Sequence, residues 1–97
     1  MTAYVIAMID EITDPQIYDG YKAQVPATLA AYGGAFVVRG GEQQALEGEA
    51  GWTRTVILRF PDMAAARAWH ASPEYEKPKA LRQAASTGRL LLVDGID

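Results

Sequence analysis

The sequence predicts an α+β fold: a four-stranded antiparallel sheet covered by helices on one face. Three observations predict it. Four short segments, Ala3–Ile9, Ala35–Val38, Thr55–Phe60 and Leu90–Val93, are dominated by apolar residues and suit strands. Residues between them carry helical spacing opened by capping residues. The resulting order is strand, helix, strand, strand, helix in two pieces, strand. Short connections and right-handed crossovers lead that order to a sandwich with its first and third strands in the centre.

Each element has its own local reason. The first strand, Ala3–Ile9, sets Val5 and Ile9 on one side and Tyr4, Ile6 and Met8 on the other. Asp14-Pro15 then starts a helix, because Asp14 can accept from free backbone N–H groups and Pro15 suits a first position that needs no donor. Tyr18, Tyr21, Val25, Leu29 and Tyr32 follow as one apolar stripe. Pro26 removes a backbone bond from that helix and is expected to bend it. Gly33-Gly34 ends it. The second strand, Ala35 to about Arg39, runs into Gly40-Gly41 and a polar segment, 42–52, that reads as a hairpin arm or loop.

Thr53–Phe60 is the third strand, stopped by Pro61. Asp62 caps the helix Met63–His70, and Ser72-Pro73-Glu74 starts another that runs to about Ala85, with Pro78 expected to distort its early part. Ser86-Thr87-Gly88 reads as a turn into the last strand, Arg89–Asp94. This is the ferredoxin-like βαββαβ arrangement, expected as one domain over 1–97.

The strands carry more apolar surface than one helical layer can cover. Phe36-Val37-Val38, Val56-Ile57-Leu58 and Leu90-Leu91-Leu92-Val93 lack the polar alternation of a sheet with a wet face. About half a dozen large side chains are left over, each forgoing roughly 1.5–3 kcal/mol of burial if exposed. A homodimer packed sheet to sheet removes that cost. The alternative is a monomer whose loop 42–52 folds back over the sheet.

Composition narrows the function classes. A net charge of −3, with nine Lys and Arg scattered along the chain, argues against a nucleic-acid partner. No apolar run is long enough to span a membrane, and Met-Thr-Ala-Tyr leads directly into a strand without a signal-peptide pattern, so a cytoplasmic location is expected. The absence of cysteine excludes disulfides, thiolate catalysis and cysteine-held metal. Neither GxGxxG nor GxxxxGK[ST] occurs, and no nucleophile elbow is present, so no cofactor is expected.

Several stretches resemble, in order and spacing, the bacterial family known as domain of unknown function thirteen-thirty, of the dimeric α/β-barrel superfamily. They include Tyr4-Val5-Ile6, Asp14-Pro15 with Tyr18 and Tyr21, Val25-Pro26, Tyr32-Gly33-Gly34, Arg39-Gly40-Gly41 and Leu46-Glu47-Gly48. Phe60-Pro61, Ala68-Trp69, Ser72-Pro73-Glu74-Tyr75, Lys79-Ala80-Leu81-Arg82 and Leu91-Leu92-Val93-Asp94-Gly95 continue the match. The resemblance implies the same sheet-to-sheet dimer and no established activity. His70 stands where members often carry an aromatic hydroxyl, and Pro78 departs from the family pattern. The superfamily includes cofactor-free oxygenases and small lactone isomerases, which makes such chemistry an expectation by analogy.

The candidate site residues follow from their chemistry. His70, the only histidine, could act as a base, or could simply sit at a helix C-terminus favoured by the dipole. With Glu74 it has metal-ligand spacing only on an unbroken helix, which Ser72-Pro73 interrupts. Arg39 or Arg82 could anchor a carboxylate or enolate, while Arg39 and Arg59 could equally find internal acids. Tyr75 could reach a cavity with its hydroxyl and move a proton. Trp69 and Tyr21, with Tyr18 and Tyr32, could wall a flat substrate or form plain core. The first reading is therefore a small-molecule binder or cofactor-independent enzyme, with a cavity of at least ~300 Å³ between sheet and helices. The second is a structural or accessory dimer with no ligand. Whether the chain is an enzyme stays open on the sequence.

Overall fold

In a computed structural model that describes Met1–Asp97, the chain forms β1 (Ala3–Ile12), α1 (Pro15–Ala30), β2 (Ala35–Arg39), β3 (Arg54–Phe60), α2 (Met63–His70), α3 (Pro73–Ala85) and β4 (Ser86–Asp94). The strands lie in the order β2-β3-β1-β4 with every neighbouring pair antiparallel, so β1 and β3 are central as expected. The thinnest dimension is 17 Å, room for a sheet and one layer of helices. The fold is the ferredoxin-like sandwich, with all helices on one face.

The helices start where the caps predict. Asp14 Oδ1 accepts from Ile17 N at 3.1 Å, and Asp62 Oδ1 accepts from Ala65 N at 2.7 Å. Ser72 Oγ accepts from Tyr75 N and donates to Trp69 O, joining the last turn of α2 to the first of α3. Pro26 and Pro78 both lie inside continuous helices. Pro26 has no N–H for the Lys22 carbonyl four residues back. Arg39 Nη2 donates to that carbonyl instead, at 2.9 Å, so β2 supplies the bond the helix lacks.

Two boundaries differ from the sequence reading. β1 continues past Ile9 to Ile12, and Ser86-Thr87-Gly88 is strand rather than turn. A register shift between Ile9 and Glu11 lets β1 keep pairing, with Glu11 opposite Thr87 and Ile12 opposite Ser86. Gly88 makes this approach feasible: a Cβ there would collide with the Met8 carbonyl and lie 2.9 Å from Ile9 Cα. Local turn propensity gives way to a tertiary contact.

The pairing register sorts the side chains by face. Val5, Leu58 and Phe60 point to the helices and join Val25, Leu29, Ala66, Trp69 and Tyr75 in the core. On the opposite face, one row runs Val38, Ile57, Ile6, Leu91 across all four strands, and Tyr4 beside Val93 extends the patch. None of these is fully buried; Leu91 is 52% exposed and Val93 39%. The loop between β2 and β3 leaves them uncovered. It ties to itself instead, through Trp52 Nε1 to Thr55 Oγ1, Thr55 Oγ1 to Gln43 Oε1, and Gln43 Nε2 to Trp52 O.

Candidate functional site

The site is framed by an aromatic layer between α1, α2 and α3. Trp69 and Tyr75 stack with ring centroids 4.0 Å apart, and both are buried. Trp69 Nε1 donates to Thr28 Oγ1 at 3.0 Å, and Thr28 Oγ1 donates to Val25 O at 2.7 Å, which fixes the indole against α1. The Tyr75 hydroxyl meets the Tyr21 hydroxyl at 3.2 Å. Tyr75 is completely buried and lines no cavity, so its hydroxyl reaches Tyr21 rather than open space.

Between α1 and the covered face of the sheet lies a cleft whose walls include Tyr18, Tyr21, Phe36, Arg39, Arg54 and Trp69. It is closed down: its volume is about 20 Å³, close to the room for one water. The expected cavity of ~300 Å³ is therefore not open in this conformation. Arg39, itself exposed, lines the cleft and reaches from β2 to α1. Its guanidinium lies 4.3 Å from the Phe36 ring centroid and bonds the Lys22 carbonyl. Of the predicted residues, Tyr21, Trp69 and Arg39 meet here.

Arg54 sits inside the cleft, with its Cζ 5.8 Å from the Tyr18 ring centroid. Sequence reasoning passed over it, although it is two residues from Val56 and four from Leu58 and so shares their covered face. Arg82 on α3 is buried beside the same tyrosines. The Nε atoms of Arg54 and Arg82 are both buried without a hydrogen-bond partner. Neither arginine belongs to an ion pair; the pairs present are Lys22–Asp19 and Arg89–Asp10. Arg59 lies on the opposite face, next to Tyr4, and takes no part.

The hydroxyls respond to this setting. Burial pushes the Tyr21 pKa up strongly, and the neighbouring Tyr75 adds to it. Burial also raises Tyr18, while the charges of Arg54 and Arg82 work against that rise.

His70 is elsewhere. It opens onto a groove of about 220 Å³ between α2 and β4, with Arg67, Leu90, Leu91 and Leu92. Its ring is 6.0 Å from that of Tyr75, but it does not line the cleft that holds Arg39. Burial lowers its pKa, and the charges of Lys79 and Arg82 lower it further. No group of three or more His, Asp or Glu is placed to hold a metal ion. No helix is long and apolar enough to cross a membrane.

Comparison with known proteins places these features in context. A family profile described as a domain of unknown function, DUF1330, matches residues 2–96. No curated protein matches. Among solved structures, a protein of unknown function from Rhodopseudomonas palustris is similar with a TM-score of 0.76 and 20% identity, over 99% of this chain and 83% of that one. A dimeric ferredoxin-like protein of unknown function from Jannaschia sp. CCS1 is similar with a TM-score of 0.71 and 17% identity over the whole of both chains. SnoaB, a cofactor-independent oxygenase from Streptomyces nogalater, is similar with a TM-score of 0.62 and 17% identity, over 99% of this chain and 93% of that one.

Proposed function

The chain belongs to the DUF1330 family, and from that premise we propose that it is a homodimer binding a small, flat organic molecule in the cleft of each subunit. The observation that carries the ligand reading is the composition of that cleft: aromatic and aliphatic walls with guanidinium groups set among them. Such a mixture gives affinity through apolar contact and orientation through a few polar groups. The dimer reading rests on the uncovered row Val38, Ile57, Ile6, Leu91, and a relative described as dimeric shares the fold.

In this reading Trp69 and Tyr21 wall the ligand and Arg39 closes over it. The Tyr21 hydroxyl, whose proton burial holds tightly, would hydrogen-bond the ligand, backed by Tyr75 at 3.2 Å. His70 would serve the groove beside β4 rather than the cleft. Chemistry without a cofactor, of oxygenase or isomerase type, enters by analogy with neighbours such as SnoaB. A cytoplasmic site of action belongs to the same proposal, consistent with a chain free of cysteine.

The second reading is an accessory dimer without a ligand, favoured by the solid packing of Trp69 on Tyr75 and by the closed cleft. A thermal-shift screen with aromatic and small carboxylic acids separates the two. A ligand present at 100 times its Kd adds about 2.7 kcal/mol of stability. A reproducible rise in Tm for one chemical series supports binding; no rise across the screen supports the accessory role.

A further inference from the structure

Resting on the small-molecule reading above, we propose that the cleft selects an anion, a planar aromatic carboxylate or enolate, and that Arg54, which lines it, anchors the charge, while Arg82, outside the lining, adds positive charge from beside the tyrosines. Two arginines in this region have buried Nε–H donors with nothing to bond, and neither has a carboxylate partner. Arg82 is only 9% exposed. A donor withdrawn from water and left unpaired is unfavourable. An anionic ligand supplies an acceptor and an opposite charge together, whereas a neutral one supplies at most the acceptor.

The surroundings hold Arg54 in place for this task. Its guanidinium packs against Gly40, where an added Cβ would collide with Nη1 and sit 2.6 Å from Cζ. Gly40 has φ +68, and that backbone conformation is what suits the position to glycine. On the other side is the Tyr18 ring. The planar guanidinium fork matches the two oxygens of a carboxylate, and the aromatic walls match a flat ring. Arg39 is less suited to be the anchor, because it already bonds the carbonyl that Pro26 leaves free. It acts as a strap. Entry requires the cleft to widen, since its volume of about 20 Å³ is far below the roughly 150 Å³ that accommodates benzene.

Titration calorimetry on the full chain, with benzoate and 2-naphthoate against the neutral benzamide and 2-naphthamide, tests the assignment. Wild type is expected to bind each carboxylate at least ~10-fold tighter than its amide, about 1.4 kcal/mol. Arg54→Met should abolish that preference with amide binding retained, and Arg54→Lys should restore part of it. Nitrogen-15 spectra of wild type give a readout that needs no variant to fold: the Arg54 Nε–H signal should move with carboxylate and stay with amide. Equal binding of acid and amide with an unmoved Nε–H signal overturns the anion assignment and leaves the cleft reading standing. An undiminished preference in a folded Arg54→Met protein overturns Arg54 as anchor. Binding of neither probe series overturns the cleft reading and this inference together.

Discussion

Replacing Ile6 with glutamate tests the association surface at its centre. Ile6 lies on a central strand, flanked by Ile57 on β3 and Leu91 on β4, and faces away from the helices. Its side chain is half-buried in the single chain, so the substitution leaves the helix-facing core intact. In a two-fold sheet-to-sheet dimer the change occurs twice. Each copy loses apolar burial of about 1 kcal/mol and places a carboxylate against hydrocarbon at a further cost of about 1–3 kcal/mol. The sum of about 4–8 kcal/mol weakens the dimer at least ~10³-fold. Sedimentation velocity over about 1 to 100 μM, matched to the affinity range such a surface supports, reads this directly. Wild type should sediment as a dimer and Ile6→Glu as a folded monomer. Ile17→Glu, on the exposed side of α1, should leave the association unchanged. A monomeric wild type, or an Ile6→Glu protein that dimerises as before, would refute the reasoning.

Gly88→Ala should destabilise the protein by about 1–3 kcal/mol, because the new methyl meets the β1 backbone at Met8 and Ile9, which cannot rotate away as a side chain would; urea unfolding at fixed protein concentration measures it. His70 should titrate below its ordinary value of 6.5, and Lys79→Met should move it back upward by removing one of the opposing charges. The folded imidazole thus binds its proton less readily than the unfolded one. Stability linked to it is present above pH 6.5 and declines as the pH falls through the lowered folded value. Proton NMR of the single histidine and unfolding curves at several pH values check both signs.

Much of the fold was legible because its signals are local. Asp14, Asp62 and Ser72 each cap a helix through a backbone contact three residues away, and nothing distant has to cooperate. The apolar strands and their order then leave few ways to close the chain. The turn expected at Ser86-Thr87-Gly88 failed because a local preference met a non-local one: the glycine serves the close approach of β4 to β1. Pro26 likewise reads as a defect in its helix until Arg39, thirteen residues on, is seen to supply the lost hydrogen bond.

The candidate site was less legible. Tyr21, Trp69 and Arg39 converge as their types suggested, but the sequence has no way to say that His70 lines a different groove, beside β4. It also left Arg54 unremarked at the start of a strand. What sequence alone determined here is a matter of periodicity and capping: which segments are strands, which are helices, and that apolar surface exceeds the helical cover. Tertiary structure decided which polar groups share a cavity and which donors go unpaired. Those facts depend on contacts between residues far apart in the chain, and no local pattern encodes them.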